Sequence, residues 1–325
     1  MAWDHILGHA FAKRLLQTHL ASGQLASAYL LSGPDGVGKR RLAVEVAKAL
    51  NCAGSGSHPC DACQPCGQIE RGVHPDVHRL SPGGPSDQIK IDEIRFLLGR
   101  VALRPFSARV QVAILEGAER LTEEAANALL KALEEPHATT RFLLTTARVL
   151  DCLPTIVSRC QLLRCDVLPP EAIARILVER GGCEPRTAEA VARLSEGSVS
   201  RALHLLERWA EHQRVVARFA TDPPVTWLSE PLPDTREEVT RLLDGMMGWL
   251  RDVAVASAGP QWILHREHAD ALRRQAGAVD RGRCVETAFS LIALRDSLEQ
   301  FVSPRLVASL AREKWLSLLT SCHGS

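Results

Sequence analysis

The sequence predicts an α/β domain built on an open parallel sheet, followed by two all-helical domains. Three observations carry this expectation. Short apolar runs alternate with segments of helical periodicity through the first half of the chain, and one of those runs feeds a glycine-rich loop that opens a helix. Strand patterns then stop after about residue 166. The boundaries read as 1–165 for the sheet domain, 166–213 for a small helical domain and 214–325 for a second helical domain.

Taken in order, Ala28-Tyr29-Leu30-Leu31-Ser32 is a short, mostly apolar run that reads as a buried strand. It runs straight into Gly33-Pro34-Asp35-Gly36-Val37-Gly38-Lys39 and then into Arg41 to Leu50, where apolar residues recur at helical spacing. Val110 to Leu115 and Phe142 to Thr146 are further buried-strand patterns, with the helix-forming stretch Glu123 to Leu133 between them. Pro169-Pro170 opens a set of short helical patterns ending near Trp209, punctuated by Gly181-Gly182 and Glu196-Gly197-Ser198. The proline-rich stretch from Asp222 to Asp234 reads as a linker. After it, Val239, Leu242, Leu243, Met246, Trp249, Leu250 and Val253 mark one helix face.

The chain has 325 residues, 46% hydrophobic and 24% charged, enough to bury a core without cross-links. Its 39 basic and 38 acidic residues nearly cancel, so bulk charge does not point to nucleic acid. No apolar run reaches the ~18 residues that span a bilayer, and the first residues lack a secretory-signal pattern, so a cytoplasmic chain without a membrane partner is expected. In a reducing compartment, four of ten cysteines bunched between 52 and 66 point to metal rather than to disulfides.

Residues 33–40 match the phosphate-binding signature G-x-x-x-x-G-K-[ST] at Gly33, Gly38 and Lys39, and depart from it at Arg40. In such a loop the glycines, here including Gly36, let backbone N–H groups turn toward a phosphate, the helix presents its positive end, and the lysine adds a cation. The hydroxyl missing at Arg40 would ligate Mg²⁺, so bound Mg²⁺ is not expected, while ATP or ADP stays open as an occupant of the loop. A second acidic element is expected at the end of a neighbouring strand. There the chain reads Glu116-Gly117-Ala118-Glu119, and Gly117 has no side chain to activate water. Glu119 reads as an exposed loop acid.

Cys52, Cys60, Cys63 and Cys66 have the spacing C-x7-C-x2-C-x2-C, which suits tetrahedral zinc with all four positions filled by thiolate, a structural site. Gly54, Gly56 and Pro59 give the backbone freedom to wrap. Free thiols or disulfides are the alternative, and His58 or His74 a substitute ligand.

These residues together resemble a known family, the AAA+ subunits of bacterial DNA polymerase III clamp loaders. The resemblance rests on Ile6-Leu7-Gly8, the approach Ala28 to Pro34, the four-cysteine insert after the loop helix, Asn127-Ala128-Leu129-Leu130-Lys131-Ala132-Leu133-Glu134-Glu135-Pro136, Phe142 to Thr146, and Leu153 to Cys160. It extends more thinly through Gly197 to Leu203 and Val302 to Leu306. The resemblance implies an AAA+ P-loop core with a zinc module at 52–66, a helical lid and a helical collar. It also implies gamma or tau and delta subunits as partners, with the sliding clamp and primed DNA met within the complex.

Arg40 and Gly117 favour the delta-prime type over the gamma/tau motor type, which keeps a hydroxyl after the lysine and an acidic pair after the strand. In the lid, Ser200 stands where the family pattern has arginine, with Arg201 one place late. The family's division of labour further implies that Ser158-Arg159-Cys160 brings Arg159 in trans to a neighbour's ATP. Read without the resemblance, Arg159 is a surface arginine after a strand-like Ile156-Val157, and Asn127 is a helix cap. The competing expectation is a motor subunit, or another AAA+ ATPase, that hydrolyses ATP itself. A free-standing zinc-dependent DNA-binding module is disfavoured, because the cysteine loop is short of basic and aromatic residues.

Overall fold

The computed structural model describes Trp3 and residues 5–55, 59–84, 86–222, 224–299 and 302–320. The chain packs as two compact units, Met1–Gly182 with Ser195–Ala202, and Cys183–Leu194 with Leu203–Ser325. Helices of the expected lid segment fall in both.

The first unit runs α1 (Ala10–Ser22), β1 (Ala28–Ser32), α2 (Lys39–Asn51), α3 (Gln64–Arg71), β2 (Val77–Leu80), α4 (Ile91–Val101), β3 (Gln111–Leu115), α5 (Glu123–Glu134), β4 (Thr140–Thr146), α6 (Pro154–Val157), β5 (Gln161–Arg164) and α7 (Pro170–Gly181). The five strands form one sheet in the order β2-β3-β4-β1-β5, and every neighbouring pair is parallel. Every residue of β1 and β3 is buried, as expected of strands covered on both faces. Ala28, Leu30, Ala113, Leu115, Phe142 and Leu144 meet Ile94 and Leu97 of α4 and Leu129 and Leu133 of α5 in one core. Alternate strand residues such as Tyr29, Leu31 and Ile114 turn to the opposite face. There α2, with Leu42, Ala43, Val46 and Ala47 buried, packs against β1, β3 and β4.

This order puts the glycine loop at the carboxyl end of β1. β5 pairs with β1 in the register Tyr29↔Gln161 to Ser32↔Arg164, so the turn before β5 lies at the amino end of the sheet.

α8 (Pro185–Leu194) belongs to the second unit, while α9 (Val199–Glu207) begins in the first and ends in the second. α10 (Trp209–Thr221), α11 (Pro224–Ser229), α12 (Arg236–Val255), α13 (Ala269–Ala278), α14 (Arg281–Glu299) and α15 (Pro304–Thr320) complete the second unit. The expected face of α12 is its buried face: Val239, Leu243, Met246, Trp249, Leu250 and Val253 are inside, with Leu242 half-buried at the margin. Phe219 stacks on Trp227 at 5.1 Å and tilts against Trp315 at 4.8 Å, giving the core an aromatic centre.

The proline-rich stretch 222–234 is not wholly linker. It holds α11, because buried Trp227 anchors the segment in the core, while Pro223 lies outside the described residues. Among the described residues no helix is long and apolar enough to cross a membrane.

Candidate functional site

Lys39 is the first residue of α2, and Gly38 is its N-cap with φ +107°. Gly36, at φ +76°, is a position where a side chain would both strain the backbone and collide, since an added Cβ would lie 2.2 Å from Ser198 Oγ. The loop is closed on itself. Lys39 Nζ donates to the carbonyls of Gly33 (2.5 Å) and Pro34 (2.8 Å) and lies 3.7 Å from Asp35 Oδ1. Burial holds the Lys39 pKa below the ordinary lysine value, against the pull of Asp35. His9 Nε2 bonds the Val37 carbonyl at 2.8 Å, and the N–H of Val199, first residue of α9, donates to the Gly36 carbonyl at 2.8 Å.

Arg40 and Glu116 are joined. Nε of Arg40 lies 3.1 Å from Oε1 of Glu116, which is carried at the end of β3. Burial raises the Glu116 pKa, and Arg40 and Arg79 oppose that rise. Gly117 follows with φ +71° and donates its N–H to Thr145 Oγ1 at 3.2 Å. Glu119 is half-buried rather than an exposed loop acid: its Oε1 accepts from the Ala147 N–H at 3.1 Å and caps the end of β4. In the lid segment Ser200 packs on Gly36, while Arg201 turns outward to pair with Glu196.

Arg159 does not follow a strand. Ile156 and Val157 belong to α6, a single turn started by Pro154, whose fixed φ suits the first helical position. Arg159 occupies the turn between α6 and β5. Its Nε donates to Glu134 Oε1 at 2.7 Å, Nη2 bonds the same oxygen, and Nη1 donates to the Thr155 carbonyl at 3.0 Å. Asn127 is not a cap. α5 starts at Glu123 with Thr122 Oγ1 accepting from the Ala125 N–H, which leaves Asn127 exposed in the helix interior.

The four cysteines of the insert converge. Their sulfurs all lie within 4.8 Å of one another, with Cys52 Sγ 3.9 Å from Cys63 Sγ, close to the edge of a ZnS₄ tetrahedron, ~3.8 Å for bonds of ~2.3 Å. None is in a disulfide. Backbone N–H groups of Gly54 and Cys60 point at Cys52 Sγ, and that of Cys63 at Cys60 Sγ, each at 3.4 Å. Burial opposes ionisation of Cys63, yet N–H donors from Cys66 and Ala53 bring its thiol down to about 6. This donor set could hold a metal ion. His74 is elsewhere, buried with Nδ1 accepting from the Asp76 N–H, and Gly56 and His58 lie outside the described residues.

An ionic cluster around buried Lys48 and Glu45 ties this insert to α2. Lys48 Nζ lies 3.0 Å from Glu45, 2.8 Å from Asp61 and 2.6 Å from Glu70, and Arg41 and His5 each approach Glu45 at 3.0 Å. Burial works against the charge on Glu70, but Lys48 and Arg41 hold its pKa at about 2. His5, Glu45 and Asp61 also group closely enough for a metal ion, but Lys48 already brings a cation to Glu45 and Asp61. Neither this cluster nor the Asp252–His265–His212 chain of the second unit was foreseen. A signal did exist for the first: Glu45 and Lys48 interrupt the apolar face of α2 three residues apart.

The family model described as DNA polymerase III, delta subunit matches residues 8–169. The delta-prime subunit of DNA polymerase III from Haemophilus influenzae is 35% identical over 265 residues, covering 80% of this chain and 76% of that subunit. The chain belongs to the clamp-loader subunit family of DNA polymerase III. Within this family the Bacillus subtilis delta-prime subunit is 36% identical over 192 residues, which is 59% of this chain and 57% of that subunit. The Escherichia coli tau subunit is 34% identical over 209 residues, 62% of this chain and 32% of tau. The chain thus spans little more than half of the first of these two relatives and about a third of the second.

Proposed function

We propose that this chain is a delta-prime-type clamp-loader subunit with an AAA+ core. It does not hydrolyse ATP itself, and it supplies Arg159 to an ATP site on a neighbouring gamma- or tau-type subunit while the ring, with delta, loads the sliding clamp on primed DNA. The observation that carries this reading is the Arg40–Glu116 pair. A guanidinium stands where the phosphate loop needs a metal-ligating hydroxyl, and it neutralises the acid nearest that position. With Gly117 offering no base, neither the metal nor the water-activating part of phosphoryl transfer has a residue to perform it.

The placement of Arg159 supports the in-trans role. It precedes β5, whereas the chain's own phosphate loop follows β1, and β1 and β5 are parallel and paired. The two sites are therefore separated by the length of the sheet, roughly 15–20 Å. Arg159 cannot serve its own loop. An arginine at the opposite edge can serve only a nucleotide held by another chain.

Cys52, Cys60, Cys63 and Cys66 fit structural zinc, which would hold the insert closed and supply no chemistry, because four thiolates leave no open coordination position. The reading is tested by assaying ATP hydrolysis of the isolated chain with Mg²⁺ and primed DNA, beside that of a ring reconstituted with gamma or tau and delta. Background turnover alone, with full turnover in the ring, supports it. Turnover by the isolated chain that Lys39→Ala abolishes supports the motor reading instead.

A further inference from the structure

Arg159 is held by two elements of its own chain. Glu134 Oε1 accepts from both Nε and Nη2, and the Thr155 carbonyl accepts from Nη1. Glu134 is the last residue of α5, and one residue before it Leu133 is buried in the core with Leu129, so the carboxylate stands on a fixed support. Thr155 lies in the α6 turn, where Ile156 is fully buried.

A guanidinium has five N–H donors in a planar fork. Glu134 takes the side formed by Nε and Nη2, while the Thr155 carbonyl and, at 3.4 Å, Ser158 Oγ take the donors of Nη1, so the remaining donor sits on Nη2 at the Nη1/Nη2 end. That end is the part a phosphate oxygen would meet. The pair is half-exposed, and such pairs add little to stability, so its consequence lies in aim rather than in fold strength.

We propose that Glu134 is the positioning residue for Arg159: it fixes the plane and direction of the guanidinium so that its free end faces out of the sheet edge toward the neighbour's γ-phosphate. This rests on the in-trans reading of Arg159. A positioned guanidinium acts where charge develops, in the transition state, so losing its aim lowers kcat and leaves the KM for ATP nearly unchanged.

The test uses the ring reconstituted from full-length subunits, with ATP, sliding clamp and primed DNA, in four forms: wild type, Glu134→Ala, Arg159→Ala and the double variant. Glu134→Ala is expected to assemble normally and to lower the kcat of ATP hydrolysis in the same direction as Arg159→Ala, by roughly half or more of that variant's partial fall, with KM within about twofold. Glu134→Gln, which keeps an acceptor oxygen, should recover part of the loss, and the double variant should match Arg159→Ala alone. A wild-type kcat for Glu134→Ala beside an impaired Arg159→Ala overturns the positioning role. So does an equal further drop from Glu134→Ala in the Arg159→Ala background. A wild-type rate for Arg159→Ala overturns the in-trans reading itself, a separate result.

Discussion

Nε of Arg40 lies 3.1 Å from Oε1 of Glu116, and this pair joins the first turn of α2 to the end of β3. In a hydrolysing phosphate loop these two positions face each other across a divalent cation. Here a side chain covalently part of the protein supplies the positive charge instead. It neutralises the acid but cannot bridge two phosphate oxygens as Mg²⁺ does.

Two separable consequences follow for nucleotide chemistry. The isolated chain should hydrolyse ATP at background, since a missing base alone is typically worth ~10²–10⁴ in rate. Arg40→Thr, which restores a hydroxyl and frees Glu116, should introduce Mg²⁺-dependent binding of a fluorescent ATP analogue without restoring hydrolysis, because Gly117 still offers no base. Equilibrium titration with and without Mg²⁺ checks this. Identical affinities for Arg40→Thr in the two conditions would contradict it.

For the cysteine insert, native protein should contain one zinc per chain by elemental analysis, and Cys63→Ser should lose most of it. Because Asp61 of the same insert is paired with buried Lys48, zinc loss should loosen residues 52–66 and α3 first, read as faster amide exchange there than in β1 or β3. Unchanged zinc content in Cys63→Ser would remove the four-sulfur site.

The second unit should lose stability in mild acid. His212 stacks between Trp209 and His265, at 5.4 and 5.5 Å, while Asp252 accepts from His265 Nδ1 at 2.8 Å. Burial, with a smaller contribution from His265, depresses the His212 pKa to about 4. An unfolded histidine titrates near ~6.5, so between those values the unfolded chain binds a proton that the folded one refuses. The stabilisation is fully present above pH ~6.5 and is lost as pH falls toward 4, by about 2 kcal/mol between pH 7.5 and 5. Asp252, whose pKa is lowered against burial by His265 and the Leu264 N–H, acts in the same direction at lower pH. Urea unfolding followed by tryptophan fluorescence should show this slope, and His212→Leu should flatten it. A wild-type slope in His212→Leu would contradict the assignment.

What could be read from the residues, and what could not, divides on a physical basis. β1, β3 and β4 are apolar on both faces and announce themselves, and the glycine loop marks the turn between β1 and α2. β2 and β5 lie at the sheet edges, where His78, Arg79, Gln161 and Arg164 interrupt any apolar run, so their pattern is weak. Ile156-Val157 reads as a strand because both residues are β-branched, but Pro154 two residues earlier starts a helical turn that takes them in. The cysteine cluster was legible because its ligands are close in sequence. The partners of Arg40 and Arg159 were not, since Glu116 and Glu134 lie far along the chain and only the fold brings them together.

The most direct test of the central claim is the rate of clamp loading by a reconstituted ring carrying Arg159→Ala, measured at limiting ATP. An arginine delivered to a neighbour's γ-phosphate is worth roughly 10³–10⁵ in rate at that one site. With the other sites of the ring intact, ATP hydrolysis should fall partially and clamp loading should fall further. Arg159→Lys should fall between wild type and alanine, because it keeps the charge but not the planar fork. Clamp loading at the wild-type rate by Arg159→Ala rings of normal composition would contradict the account.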